Sequence, residues 1–197
     1  MEYRELGRTG QKVSALTLGT MTFGEQNTEA EGHEQMDYAL DQGINLFDAA
    51  EIYPIPPKAA TQGATEEIVG TWLASRKARD KVLIATKVAG RSSVINWLRD
   101  EPTLSRQTPE QMRDALHKSL KRLQTDYVDL YQLHWPDRPI RVFEGLEFQR
   151  FGDDAHNIHE ILGVLRELVA SGKVRFVGLS NETPWGVMQF LKLSAQH

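Results

Sequence analysis

The chain has no cysteine, which excludes a disulfide-stapled scaffold and any site built on thiolate ligands. Long apolar runs are missing as well. No stretch approaches the roughly 18–20 residues that span a bilayer, and the opening Met1-Glu2-Tyr3-Arg4-Glu5 lacks the basic-then-apolar layout of a signal peptide. No membrane partner is expected, and the expected address is the cytoplasm. A basic excess is also absent: 23 Lys+Arg against 27 Asp+Glu leave a formal charge of -4, which sets nucleic acid aside as a partner. Aromatics are few at 8%, yet hydrophobic residues make up 40% and charged residues 25% of the 197 residues, enough for the core of a globular protein. With no linker and no low-complexity tract, the reading is a single domain over residues 1–197.

What is present is an alternation. Short apolar runs rich in β-branched residues, 16–18, 45–48, 82–86, 127–132 and 174–179, are each followed by a stretch with a period near 3.6, the pattern of βα units in an α/β protein. Thr28 with Glu31, Thr108 with Pro109 and Gln111, and Thr183 with Pro184 carry cap signals that open helices. Met112, Ala115, Leu116, Ser119, Leu120 and Leu123 form one apolar or small face. Ile158, Ile161, Leu162, Leu165, Leu168 and Val169 form another. Before the first run, 3–6 and 12–15 flank Arg8-Thr9-Gly10 and predict a hairpin that would close one end of a barrel. A proline-rich stretch at 54–63 and a polar one at 137–155 follow strand ends, where α/β proteins place their working loops.

The strand ends carry the chemistry. The first run stops at Gly19-Thr20, the second at Asp48, the third at Lys87, the fourth at His134 and the fifth at Ser180-Asn181. In a parallel barrel these ends open on one face and converge. The competing doubly wound sheet would be announced by Gly-x-Gly-x-x-Gly after the first strand. The chain has Leu18-Gly19-Thr20-Met21-Thr22-Phe23-Gly24 there. A tyrosine titrates near ~10, so donating its proton at neutral pH calls for a cation that stabilises the phenolate. Lys87 can supply it, Asp48 can keep the lysine charged, and His134 can hydrogen-bond a substrate carbonyl. Tyr53, five residues past Asp48, is within reach of the barrel mouth.

These residues carry a family resemblance. Gly43-Ile44-Asn45-Leu46-Phe47-Asp48-Ala49-Ala50-Glu51-Ile52-Tyr53 resembles the aldo-keto reductase signature around its catalytic Asp and Tyr. Leu83-Ile84-Ala85-Thr86-Lys87 resembles the family's lysine strand, the segment from Asp126 to His134 its histidine strand, and Gly172 to Asn181 its fifth strand. The Met-Thr-Phe-Gly-Glu-Gln-Asn wording at 21–27 and the proline-rich stretch after Tyr53 are similar to the Tas-like bacterial branch. The resemblance implies a (β/α)8 TIM barrel and NADPH-dependent reduction of a small carbonyl substrate. It implies Tyr53 as general acid, Lys87 and Asp48 as its tuning pair, and His134 as substrate orienter. It also implies the cofactor against Gly19, Thr20, Met21, Asp48, Ser180 and Asn181.

Two departures accompany it. Pro54 stands where many relatives have glycine. Only five βα units are present against the family's eight, so the chain is read as an N-terminal portion. The resemblance implies that the segments which stack on the nicotinamide and hold the 2'-phosphate lie past the position of His197. Weak NADPH binding and self-association through open strand edges are the expectation. A cofactor-sensing subunit resembling potassium-channel β-subunits, or an inactive partial barrel, are the competing readings.

Other residues have plainer readings. Phe23 and Trp135 wall the substrate pocket or are peripheral packing, and the sequence leaves both open. Ser180-Asn181 could be only a helix-entry turn. Asp153, Asp154, His156 and His159 are read as a solvated helix start, so no metal site is expected. Arg138, Arg141 and Arg150 are read as a solvated lid surface, and His33 and His117 as helix-surface residues.

Overall fold

Residues 1–92, 94–138, 140 and 157–195 are described by a computed structural model. The hairpin comes first, β1 (Tyr3–Glu5) antiparallel to β2 (Lys12–Ser14). It is fastened to the start of the next unit through Asn45, whose side chain accepts from the Ser14 N–H at 2.8 Å and donates to the Lys12 carbonyl at 3.0 Å.

Five strands then form one parallel sheet in sequence order: β3 (Leu18–Gly19), β4 (Leu46–Asp48), β5 (Leu83–Val88), β6 (Val128–Leu133) and β7 (Val174–Leu179). Strands added always on the same side, each reached by a crossover helix, generate a curving barrel wall. The last strand has the predicted bounds. The first begins two residues later than expected because Leu16 is 62% exposed and unpaired in the sheet. β5 extends past the predicted Thr86 because Lys87 and Val88 pair with Gln132 and Leu133.

The helices are α1 (Glu29–Asp41), α2 (Ala64–Arg76), α3 (Pro109–Leu123), α4 (Ile158–Ala170) and α5 (Pro184–Ser194). Thr28 and Glu31 form the anticipated capping box, and Thr108 and Thr183 accept from the third helical N–H. The start of α4 is capped by Asn157, and Val169 in that helix is exposed, its place in the buried face being taken by Val164. α2 has no side-chain cap: it starts from Gly63 in a left-handed conformation and is buried on nearly all sides.

The main core lies between the sheet and these helices. Phe47, Ile84 and Tyr131 from the strands meet Met36, Trp72, Met112, Leu116 and Leu165. Side chains alternate along each strand, so the residues between those core positions face the inside of the curve, as Lys87 does. A second, smaller cluster of Ala50, Ile52, Tyr53, Ala89, Leu98 and Trp135 sits over the strand ends.

Candidate active site

Register and pleat bring the site together. Asp48 lies opposite Ala85, so Lys87, two residues on, shares its face of the sheet. Lys87 lies opposite Gln132, which puts His134 two residues further along the next strand. Tyr53 returns to the mouth through a tight turn, its N–H donating to the Ala50 carbonyl at 3.1 Å while its own carbonyl accepts from Gly63 at 2.9 Å.

The Lys87 ammonium donates to Asp48 Oδ2 at 2.6 Å, to the Ala49 carbonyl at 2.8 Å and to the Tyr53 hydroxyl oxygen at 3.5 Å. An ammonium has no acceptor. The phenol oxygen must therefore accept, and the phenolic proton is left to point elsewhere. The His134 ring meets Tyr53 edge-on at 5.4 Å between centroids. All four predicted residues, Asp48, Tyr53, Lys87 and His134, are thus gathered at one point.

Electrostatics set their resting charge. Burial pushes the Tyr53 phenol up to about 12, with the Asp48 carboxylate adding in the same direction. Lys87 is expected to favour the phenolate. At rest, desolvation and Asp48 outweigh it, and the phenol holds its proton. Burial also pulls Lys87 below the ordinary lysine value, while Asp48 opposes that fall. His134 is driven down to about 3, first by burial and then by the Lys87 charge, so its imidazole is neutral at physiological pH. Its Nδ1 and the Gln132 Oε1 are buried without a hydrogen-bond partner among the described residues.

The residues expected at the cofactor separate into two groups. Gly19 and Met21 are exposed at the end of β3, Ser180 is half-buried and Asn181 is exposed at the end of β7. Asn181 holds φ 51 and donates to the His134 carbonyl at 2.9 Å and to Ser180 Oγ at 3.0 Å. Neither residue caps α5, which is capped by Thr183. Thr20 behaves differently: it is fully buried, and its hydroxyl and N–H both donate to the Asp48 carbonyl at 2.8 and 3.1 Å. It secures the end of β4 and has no surface to present.

Of the two aromatics, Trp135 stands at the mouth, 4.9 Å from the His134 ring, with Nε1 donating to the Arg91 carbonyl at 2.8 Å. Phe23 is fully buried in the outer core, close against Gly32 on α1. Packing is its role. Arg138 is no solvated lid residue, since it is paired with Glu182. His33 is not on the helix surface either; Nε2 lies 3.0 Å from Thr71 Oγ1 and 3.2 Å from the Ile68 carbonyl, wedging the ring between α1 and α2. His117 is exposed as expected. Arg141, Arg150, Asp153, Asp154 and His156 lie outside the described residues, and His159 is in the first turn of α4.

Charged residues not anticipated surround the mouth. Glu51 is 1% exposed, accepting from the Ala89 N–H at 2.8 Å and pairing with Arg99 at 2.7 Å. Asp137 is 2% exposed and pairs with Arg106 at 3.0 Å. Glu51 had a signal, a lone acid inside the apolar run Ala49-Ala50-Glu51-Ile52. Arg99 and Arg106 lie in an irregular segment with no periodicity to reveal them.

An in-order parallel sheet with outer helices and polar residues gathered at the strand C-termini defines part of a βα barrel. The chain belongs to the aldo/keto reductase family, whose model matches residues 15–196. It is 49% identical over 200 aligned positions to the protein Tas of Escherichia coli K12, covering 100% of this chain and 57% of that protein. It is 40% identical to an uncharacterized oxidoreductase, YrpG, of Bacillus subtilis 168, covering 96% of this chain and 52% of that one. Among solved structures, a thermostable aldo-keto reductase, Tm1743, in complex with the inhibitor epalrestat superposes with a TM-score of 0.72 at 28% identity, covering 98% of this chain and 59% of that one. The chain therefore spans a little over half the length of these relatives.

Proposed function

We propose that the protein, in its complete form, is an NADPH-dependent oxidoreductase that reduces an aldehyde or ketone to the alcohol, with Tyr53 as proton donor. The observation that carries this reading is the Lys87 ammonium held between Asp48, the Ala49 carbonyl and the Tyr53 hydroxyl, with His134 edge-on to the phenol.

The reaction asks the protein for an acid that is protonated at rest and can part with its proton as negative charge grows on the carbonyl oxygen. Tyr53 at about 12 meets the first condition. It meets the second because a developing alkoxide is a far stronger base than a phenolate, and because Lys87 lies beside the charge as it forms. His134, neutral and fixed at the end of β6, can hydrogen-bond the same carbonyl oxygen and orient it. The buried surroundings keep water from competing for it.

The residues present fit a nicotinamide. Its carboxamide needs one donor and one acceptor, and Ser180 Oγ together with the Asn181 Oδ1, left over after Nδ2 is committed to His134, supplies both. When bound, this cofactor would supply the hydride. Gly19 and Met21 offer the exposed surface at the opposite edge of the strand ends. A small-molecule carbonyl compound is the proposed substrate, and Trp135 its proposed wall.

The test is Tyr53→Phe in the complete protein. Carbonyl reduction should fall about 10²- to 10⁴-fold, the range lost with a general acid. NADPH affinity, read by fluorescence titration, should stay within about twofold because the phenol acts in the transition state. Retention of full activity by the Phe variant would show that another group is the acid.

A further inference from the structure

Three arginine–carboxylate pairs at the mouth share a pattern. Glu51, in the segment after β4, pairs with Arg99, in the segment after β5, through Nη1 at 2.7 Å and Nη2 at 3.1 Å. Arg106, in that same segment, grips Asp137, after β6, through Nε at 3.0 Å and Nη2 at 3.1 Å. Arg138, the next residue, grips Glu182, after β7, with Nη1 at 3.0 Å from Oε2. Each pair therefore joins a loop to the loop of the neighbouring strand. Each carboxylate also sits one or two residues from a side chain of the site: Glu51 before Tyr53, Asp137 after Trp135, Glu182 after Asn181.

We propose that these three ties fasten the loops around the mouth into one continuous wall, and that Glu51, Arg99, Arg106, Asp137, Arg138 and Glu182 are positioning residues for Tyr53, Trp135 and Asn181. Stability is a poor explanation for them. Buried ion pairs repay their desolvation only narrowly, and apolar replacements of similar volume commonly fold as well or better. Fixing direction is what a bidentate guanidinium–carboxylate pair does well. The segment from 89 to 107 needs it, having no helix or strand among its described residues. Arg99 pins its middle, beside Leu98, which packs in the cluster of Tyr53 and Trp135. Arg106 and Gln107 pin its end: the Gln107 N–H donates to Asp137 at 2.9 Å and its side-chain amide to the Trp135 carbonyl at 2.9 Å. A wall held this way lets a loop without regular structure hold a side chain to the fraction of an ångström that orientation demands.

The kinetic part of this inference rests on the proposed reductase reading; the structural part does not. The decisive variant is the double substitution Glu51→Gln with Arg99→Met, which removes both charges and leaves no buried ion unpaired. Arg113→Met with Glu167→Gln, on an exposed pair joining α3 and α4, serves as control. Hydrogen exchange by mass spectrometry should show peptides from 94–107 exchanging at least about tenfold faster in the first double variant, with β5, β6 and α3 unchanged. Trp135 emission, isolated as the difference from Trp135→Phe, should shift to the red. In the complete enzyme kcat should fall by up to about 10²-fold, the cost of a misplaced group, with NADPH affinity unchanged.

Exchange and emission identical to the parent would overturn the proposal. So would protection lost evenly through the whole protein, as a general stabilising role requires, or a loosened loop with unaltered kcat. A parent protein that reduces no carbonyl compound would defeat the reductase reading alone, and exchange with Trp135 emission would still decide the ties.

Discussion

His134 carries the clearest single-residue consequence. Its imidazole is pushed down to about 3 by burial and the neighbouring lysine, whereas in an unfolded chain it takes up a proton near ~6.5. Between those values the unfolded state binds one more proton than the folded state, so stability is full above about 6.5 and is lost as pH falls toward 3. The slope is at most about 1.4 kcal/mol per pH unit. His134→Phe keeps a ring against Tyr53 and Trp135 but cannot titrate. Urea unfolding at several pH values from 7.5 to 4.5 should show a shallower acid loss in the variant, and parallel pH curves would mean that His134 is solvated in solution. Asp48, Lys87 and His134 were legible in the sequence for a simple reason: each is a polar residue ending an apolar strand. Tyr53 needed the family resemblance, because its position depends on a turn that spacing does not specify. Glu51 and Arg99 are 48 positions apart and meet only through tertiary packing, so no local pattern could pair them.

Among the elements, two glycines in different settings predict opposite outcomes. Gly90 follows β5, and a Cβ there would strike the Trp135 carbonyl and indole. Because the obstruction is backbone, the two loops would have to separate, and Gly90→Ala should cost about 1–3 kcal/mol as overpacking does. Gly163 lies inside α4 with no atom of the described residues within 4 Å of its Cβ position. Gly163→Ala should therefore stabilise by about 0.5–1 kcal/mol through helix propensity and lost unfolded-state freedom. Thermal denaturation of both variants checks the pair, and equal shifts would contradict the packing described at Gly90. The same contrast explains which elements could be read beforehand. α3 and α4 each show one apolar face, so their periodicity appears directly, and α3 has a sequence-visible opening at Thr108-Pro109 as well. α2 begins at Gly63 without a cap and buries Thr65, Glu66, Ile68, Val69, Trp72 and Leu73 around most of its circumference, which erases the stripe that marks a surface helix. Its charge is satisfied internally instead, Glu66 accepting from Arg122 at 2.7 Å.

At the scale of the whole molecule, the sheet has two edges. β3 pairs only with β4 and β7 only with β6 among the described residues, and Val177 on β7 is 42% exposed. Beside that edge, α5 presents Trp185, Met188 and Leu191 at 59%, 63% and 59% exposure, a spacing of three that sets them along one side of the helix. Unpaired backbone next to an apolar stripe favours association with another chain carrying the same features. A second copy supplies both. The 197-residue chain on its own should therefore sediment at micromolar concentration as more than a monomer, and, if the proposed reading of Ser180 and Asn181 as nicotinamide contacts holds, should bind NADPH only weakly. If the helix stripe drives the contact, Met188→Lys with Leu191→Glu should shift the distribution toward monomer without changing the circular dichroism of the fold. If hydrogen bonding along β7 drives it, those substitutions should have little effect, whereas Val177→Pro should release the monomer by removing a donor from the edge. A parent chain that stays monomeric and binds NADPH at micromolar concentration would show that these five strands close a working site without further units.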